Sequence, residues 1–437
     1  MKKKIYFLLP ILLVAALCMC LTSCGGGDDD EDDLTGNGPQ AQQQQQQQQQ
    51  QQNNGNDGEN NTPVSYADVV NTPLTLEAIS NGTITFNNKA TGSVTYRIDD
   101  GPAQIINAGT IGNIPVNAGQ KVTFCGDNPR YYPGDNVEYD PSTYNSVFHF
   151  TADFYAYGNI MSLVSRTDYA NATTLTSPEA FYGLFAANTG LKNHPSKPLV
   201  LPATTLSDGC YETMFAGCTS LTKAPMLPAT TLSRGCYMRM FLGCTGLTAA
   251  PDLPATTLAS YCYLYMFLDC IGLTSAPVLP ATTLEYLCYG GMFLGCTSLT
   301  YAPALPATTL AEMCYDSMFF NCTSLNSAPD LPATTLAEAC YSMMFCGCTR
   351  LTKAPILPAI VLAKKCYSYM FKGCTKLKYM KCLATDISAD QCTYDWVEGV
   401  AASGTFVKTA GVSWPTSKES NIYSGIPSGW TVTTSSN

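Results

Sequence analysis

The chain has 437 residues, 21 cysteines, two histidines and a formal net charge of −10. The acidic balance disfavours a nucleic-acid-binding surface, and two histidines without a CxxC pair disfavour a zinc site. No Walker loop, dinucleotide-binding glycine fingerprint, GxSxG elbow or HExxH motif occurs. We therefore expect a protein that is not an enzyme, with no cofactor, no catalytic residues and no metal.

Residues 1–23 have the features of an export signal. Three lysines precede an apolar run from Ile5 to Leu21, which is too short and too close to the N-terminus for a stable membrane span. The run leads into the sequence LTSC, ending at Cys24, which resembles a bacterial lipobox. The acidic stretch Asp28–Asp33 resembles the export tag of surface lipoproteins. These resemblances imply lipidation at Cys24 and location at the cell surface, anchored in the outer membrane. An ordinary signal peptide with a solvated acidic run is the alternative.

Residues 24–63 are low in sequence complexity. They contain the acidic stretch and an unbroken glutamine run, Gln42–Gln52, flanked by Asn, Gly, Asp and Glu. Such a composition cannot bury a core, so we predict a disordered acidic and poly-Gln tether.

Between residues 64 and 164 the pattern changes to a period of two. Segments rich in β-branched and aromatic residues alternate with turn sequences such as Asp-Asp-Gly and Asn-Ala-Gly. The strongest segments are Thr83–Phe86, Ser93–Ile98, Lys121–Phe124 and Val147–Phe150. We predict a small all-β sandwich.

Seven copies of a 26-residue unit occupy residues 201–382. The first copy is LPATTLSDGCYETMFAGCTSLTKAPM, and its opening leucine, Leu201, returns every 26 residues up to Leu357. A fixed period of this size predicts a solenoid in which each unit contacts its neighbours. Residues 165–200 form a degenerate capping repeat, and residues 383–437 are expected to fold as a C-terminal cap.

Each copy places cysteine, methionine and cysteine at positions i, i+4 and i+8 in the sequence CYxxMFxGC. This spacing predicts a short helix with one apolar stripe, followed by a short strand. We therefore predict an α+β fold: a solenoid with one short strand and one short helix per repeat, preceded by the β-sandwich and the tether. The cysteine and phenylalanine columns should be buried, with the thiols reduced, because cysteines eight residues apart on a helix lie ~12 Å apart, beyond the reach of a disulfide.

The run LP...CYxxMFxGCTSLTxAP, over about residues 180 to 392, resembles the BspA-like leucine-rich-repeat surface proteins. Two departures are a longer period and Ala-Pro where that family has β-branched strand residues. The resemblance implies a leucine-rich-repeat solenoid that acts as a cell-surface binding or adhesion module, in some members toward host extracellular proteins.

The repeat positions that change from copy to copy are candidates for a binding surface; the alternative is neutral variation on a solvated face. One such column includes Tyr301 and Tyr379. Residues 350–381 also carry eight basic and no acidic residues: Arg350, Lys353, Lys364, Lys365, Lys372, Lys376, Lys378 and Lys381. They either steer an anionic glycan or acidic protein to the distal coils, or keep the solenoid end soluble.

We predict a monomeric, lipid-anchored protein that presents the solenoid for recognition of an extracellular protein, such as a host matrix protein, or of a glycan. The alternative is a carbohydrate-binding lipoprotein of a nutrient-uptake system, in which the β domain holds the site.

Overall fold

The computed structural model describes residues 69–131, 147–416 and 424–435. The predicted export signal, Cys24 and the tether lie outside this part of the chain. Within it, no helix has the length and apolar character needed to cross a membrane.

The first part of the described chain consists of two β-sheets. Their strands are β1 (Thr75–Ala78), β2 (Gly82–Asn87), β3 (Val94–Ile98), β4 (Gln104–Ile106), β5 (Ile111–Val116), β6 (Lys121–Gly126), β7 (Phe148–Phe150), β8 (Phe154–Asn159), β9 (Leu191–Asn193) and β10 (Leu199–Val200). One sheet has the order β5-β2-β7. The other has the order β10-β8-β1-β6-β3-β4, with β9 also paired to β8. A 3-10 helix over Ile160–Leu163 follows β8. The four segments predicted as strands overlap β2, β3, β6 and β7.

The two sheets pack face to face through aromatic rings. Phe86 on β2 lies 5.8 Å from Phe124 on β6, and Phe148 on β7 lies 5.0 Å from the same ring. Alternate side chains of a strand point to one face, so these rings meet between the sheets. Phe148 also stacks on Phe185 at 5.2 Å, which joins this core to the first coil of the repeat region.

The prediction of a helix in each repeat is wrong. No residue from 201 to 382 is α-helical, and CYxxMFxGC forms overlapping β-turns instead. Alternate amides close the turns: Met214 N donates to Tyr211 O at 3.2 Å. The intervening amides bind the next coil, since Phe215 N donates to Met240 O at 2.9 Å. The α+β leucine-rich-repeat class is therefore replaced by a stack of coils made of turns and short parallel β-ladders.

Left-handed residues at every fourth position explain why these turns form. In the first copy they are Gly209 (φ 60), Thr213 (φ 55) and Gly217 (φ 74). An α-helix needs negative φ throughout, whereas a type II turn needs positive φ at its third residue. Each four-residue step then directs two neighbouring side chains inward. The turn period of 4 and the helical period of 3.6 give nearly the same apolar pattern over eight residues.

Each coil also contributes to a parallel ladder, outside its turn segment. Single bridges join one residue per coil from Lys223 through Ala249, Ser275 and Tyr301 to Ser327. Distally the ladder widens into a parallel sheet of β11 (Lys353–Leu357), β12 (Tyr379–Cys382), β13 (Thr405–Thr409) and β14 (Thr431–Ser435). Tyr379 pairs with Thr405 and Thr405 pairs with Thr431, so the 26-residue spacing continues beyond residue 383.

The coil interior consists of the repeated cysteine, tyrosine, methionine and phenylalanine columns. The predicted burial of the cysteine and phenylalanine columns is confirmed, with every member at most 3% exposed. Tyrosine rings stack from coil to coil, as Tyr263 and Tyr289 do at 5.7 Å, and phenylalanine rings form a second stack. Trp396 ends both stacks, 6.2 Å from Tyr367 and 6.5 Å from Phe371.

Both cysteine columns hold free thiols. Thiols of the second column donate to the phenylalanine carbonyl of the preceding coil: Cys296 Sγ lies 3.1 Å from Phe267 O, and Cys374 Sγ lies 3.0 Å from Phe345 O. The second cysteine of each repeat is thus both a small apolar filler and a link between coils.

Candidate binding surfaces

The eight basic residues predicted as one cluster divide between the turn segments and the ladder. Lys364, Lys365 and Lys372 lie in the turn segments. Lys364 Nζ is 2.7 Å from Glu338 Oε1, which raises the pKa of the lysine through a hydrogen bond and charge attraction. Lys372 Nζ is 2.5 Å from Glu398 Oε2. The charges of Lys364 and Lys372 are therefore largely compensated within the protein.

The other five basic residues lie on or beside the ladder. Lys353 begins β11, and Lys381 on β12 pairs with Ile356. The Lys378 amide donates to Thr352 O at 3.0 Å, which places Lys378 beside β11. Arg350 and Lys376 occupy the same position of successive coils, and both are exposed. None of the five forms an ion pair with any residue in the described part of the chain.

The two tyrosine candidates occupy different surroundings. Tyr379 on β12 is half-buried, and Lys353 Nζ lies 5.2 Å from its ring centroid in a cation–π contact. Tyr301 is 48% exposed. Ser327 separates it from Lys353 along the ladder, so Tyr301 stands apart from the basic residues.

Three exposed aliphatic side chains accompany the ladder-side cations. Ile356, Ile360 and Val361 are 47%, 57% and 59% exposed; Ile356 lies on β11 with Lys353, and Ile360 and Val361 follow that strand in the seventh copy. Ile356 belongs to a column that changes from copy to copy, which the sequence already marked as a candidate surface; Ile360 and Val361 were not singled out, although the change from ATTL to AIVL marks them. We call the combined surface the distal patch. It consists of Arg350, Lys353, Ile356, Ile360, Val361, Lys376, Lys378 and Lys381.

Threonine pairs line another exposed strip of the same coils. We call them the threonine array, which consists of Thr204–Thr205, Thr230–Thr231, Thr256–Thr257, Thr282–Thr283, Thr308–Thr309 and Thr334–Thr335. All twelve side chains are exposed. None forms a side-chain hydrogen bond with a described residue. The sequence suggested only a structural role for the LPATTL segment, as the part that closes each coil, and no binding role.

One polar and aromatic cluster lies at the edge of the larger sheet. His194 Nδ1 accepts hydrogen bonds from the amides of Ser196 and Lys197, each at 3.1 Å, which leaves the proton on Nε2. Glu77 Oε2 lies 3.9 Å from that nitrogen and accepts a hydrogen bond from Tyr157 at 3.1 Å. Burial, together with the Lys197 charge, lowers the pKa of His194.

Ser196 Oγ lies 3.5 Å from His194 Nδ1, but that nitrogen already accepts two amide hydrogen bonds, so the geometry does not favour activation of the hydroxyl for nucleophilic catalysis. In the part of the chain that the structure describes, no three His, Cys, Asp or Glu side chains converge on a common metal position. The exposed coil surfaces therefore remain the stronger candidates for function.

In comparisons with known proteins, no family model, no curated protein and no solved structure matched this chain.

Proposed function

We propose that this protein is a surface-anchored binding and adhesion module that recognises an acidic extracellular protein through the distal patch. The observation that carries the proposal is five cations that form no ion pair within the described residues, with the exposed Ile356 paired to Lys381 and the exposed Ile360 and Val361 following the same strand, on a chain whose net charge is −10. Charged residues without internal partners are available to a ligand, and they speed association with an oppositely charged one.

The aliphatic side chains favour a protein partner over an anionic glycan. Full burial of one such side chain stabilises a complex by about 1.5–3 kcal/mol, and Ile356, Ile360 and Val361 are each already about half-covered. Exposed ion pairs contribute less, roughly 0.2–1 kcal/mol each. A partner that both covers the aliphatic side chains and forms ion pairs with the cations must present acidic and apolar groups together, as an acidic polypeptide does.

Presentation at the cell surface is part of the proposal. Lipidation at Cys24 and a tether over residues 24–63 would hold a single copy at the outer membrane with its coils accessible. The support for this comes from the lipobox-like sequence and the acidic, glutamine-rich composition that follows it.

The test is binding of the purified protein to an array of extracellular matrix proteins, beside an array of anionic glycans. We expect binding to acidic proteins that weakens at least tenfold between ~0.05 and ~0.5 M salt. The triple variant Lys353→Ala, Lys378→Ala, Lys381→Ala should lose at least tenfold in affinity. The matched control removes the three lysines of the turn segments, Lys364→Ala, Lys365→Ala and Lys372→Ala, and should bind normally.

Equal losses in both variants would show that net charge, and not the distal patch, governs binding. Absence of any protein ligand, or binding restricted to anionic glycans, would overturn the proposed function.

A further inference from the structure

The threonine array keeps one composition over six coils while adjacent exposed positions change. The position four residues before the first threonine of a pair is Met226, Asp252, Val278, Ala304 and Asp330 in successive copies. The ladder position varies just as freely, from Lys223 to Ala249 and Ser275. These exposed positions therefore differ among the six copies, whereas the threonine pair occurs in all six.

The fold itself does not require the threonine hydroxyls. Parallel bridges join Thr231 to Thr257 and Thr283 to Thr309. The equivalent bridge in the seventh repeat joins Val361 to Asp386, so valine and aspartate adopt the same pairing. A different threonine column does bind the protein, because Thr274 Oγ1 donates to Thr248 O at 3.4 Å. No hydroxyl of the array makes such a bond within the described residues.

The array is also rigid, periodic and uncharged. Two heavy substituents on Cβ restrict χ1 of threonine, so little side-chain entropy is lost when a ligand binds. A proline column runs two residues before the pairs, with Pro254, Pro306 and Pro332 exposed. Bridged strands lie about 4.8 Å apart, which sets the spacing of Thr231 from Thr257 and of Thr283 from Thr309, and the threonine pair itself recurs once per coil over six coils.

We infer that the threonine array binds a neutral, regularly repeating polysaccharide laid along the coil stack. Hydroxyls that donate and accept can exchange hydrogen bonds with sugar hydroxyls, and the methyl groups and proline rings can cover the apolar faces of sugar rings. A ligand with its own regular repeat can engage several coils at once, and linked contacts of this kind raise the overall affinity. Because the threonine array carries no charge, it offers no ion pair to an anionic ligand, and binding does not require one.

The experiment measures depletion of the purified protein by microcrystalline cellulose, chitin and insoluble β-1,3-glucan. We expect at least one of these polymers to retain the protein equally at ~0.05 and ~1 M salt, in contrast to the salt-sensitive distal patch. The variant Thr256→Lys, Thr282→Lys, Thr308→Lys should lose at least tenfold in retention. Replacement of the same three threonines by valine, which keeps their shape, should also weaken retention at least threefold because the hydroxyls are gone.

The matched control places three lysines on the neighbouring ladder column, as Ala249→Lys, Ser275→Lys and Ser327→Lys. Lysine occurs there naturally at Lys223 and Lys353, so this variant should fold and retain wild-type binding. Circular dichroism before each assay checks that all variants are folded. No retention of the wild-type protein by any polymer, or equal losses in the array and control variants, would overturn the inference. The matrix-protein assay of the proposed function is independent of either outcome.

Discussion

At the scale of single residues, the glycine column before the second cysteine shows how neighbouring coils constrain each other. Two copies replace this glycine, by Asp269 and by Asn321, and both residues adopt positive φ. Each is followed one coil later by glycine. A Cβ on Gly295 would lie 2.1 Å from Asp269 Oδ1, and one on Gly347 would lie 2.0 Å from Asn321 Oδ1. A side chain at this position therefore requires glycine in the next coil.

This constraint predicts unequal costs for the same substitution at two glycines. Gly217 and Gly295 have φ of 74 and 73, so alanine at either position costs about 1–2 kcal/mol in the left-handed conformation. Only Gly295→Ala also displaces Asp269, and we expect it to lower the free energy of unfolding by at least ~1 kcal/mol more. Urea denaturation measures the free energy of unfolding of both variants.

Adding Asp269→Gly to Gly295→Ala should restore stability to the level of Gly217→Ala, since the obstructing carboxylate is then gone. Equal destabilisation by the two alanine variants, or no rescue by the double substitution, would contradict this account of the column.

At the scale of elements, the two columns of buried thiols make the stability of the turn segments depend on pH. Burial raises the pKa of every cysteine in both columns, with Cys210, Cys244 and Cys374 raised to about 12 from an ordinary value of 9.0. Burial likewise raises the pKa of Tyr263 and Tyr315 in the tyrosine stack. The folded state therefore retains protons that the unfolded chain releases above pH 9.

We predict cooperative unfolding at moderately alkaline pH. A raised pKa in the folded state contributes stability that is fully present below the unfolded value and is lost as pH rises toward the folded value. The loss approaches about 1.4 kcal/mol per pH unit for each thiol, and many thiols act together. We expect the unfolding midpoint between about pH 9 and 10.5, measured by circular dichroism with a reductant present.

Stability should change little between pH 6 and 8, where neither folded nor unfolded thiols titrate. A protein that stays folded at pH 11.5 would show that the thiols do not experience this burial.

At the scale of the whole molecule, the fixed 26-residue spacing predicts which repeats can be removed. Deletion of residues 227–252 places Gly217 in the coil directly before Asp269. Glycine has no side chain, so nothing in the preceding coil obstructs Asp269. Deletion of residues 279–304 instead places Asp269 in the coil directly before Asn321. The side chain of Asp269 then occupies the space that the side chain of Asn321 needs. The same deletion removes Gly291, whose absent Cβ makes room for the Tyr265 ring.

We expect the first deletion to fold with a melting temperature close to that of the full chain, because stacked repeats contact mainly their neighbours. The second should melt at least ~5 °C lower or fail to fold. Thermal melts followed by circular dichroism compare the two proteins, which differ by the same number of residues. Equal melting temperatures would refute the side-chain constraint between coils.

The sequence by itself determined the period, the stacking of the repeats and the burial of the cysteine and phenylalanine columns. These follow from local hydrophobic pattern and from self-similarity, which need no knowledge of distant contacts. It also located the segments that form β2, β3, β6 and β7, because alternation with a period of two is a local property.

Only the tertiary structure decided between helix and turns in each repeat. Over eight residues the two periods place the same side chains inward, and the choice depends on amides such as that of Phe215, which bind the next coil instead of their own. The structure likewise divided the basic residues, since Lys372 reaches Glu398 across a coil boundary, while Lys353 contacts the Tyr379 ring and meets no carboxylate among the described residues. Inter-coil hydrogen bonds and side-chain contacts decide both outcomes, and neither is a property of one repeat alone.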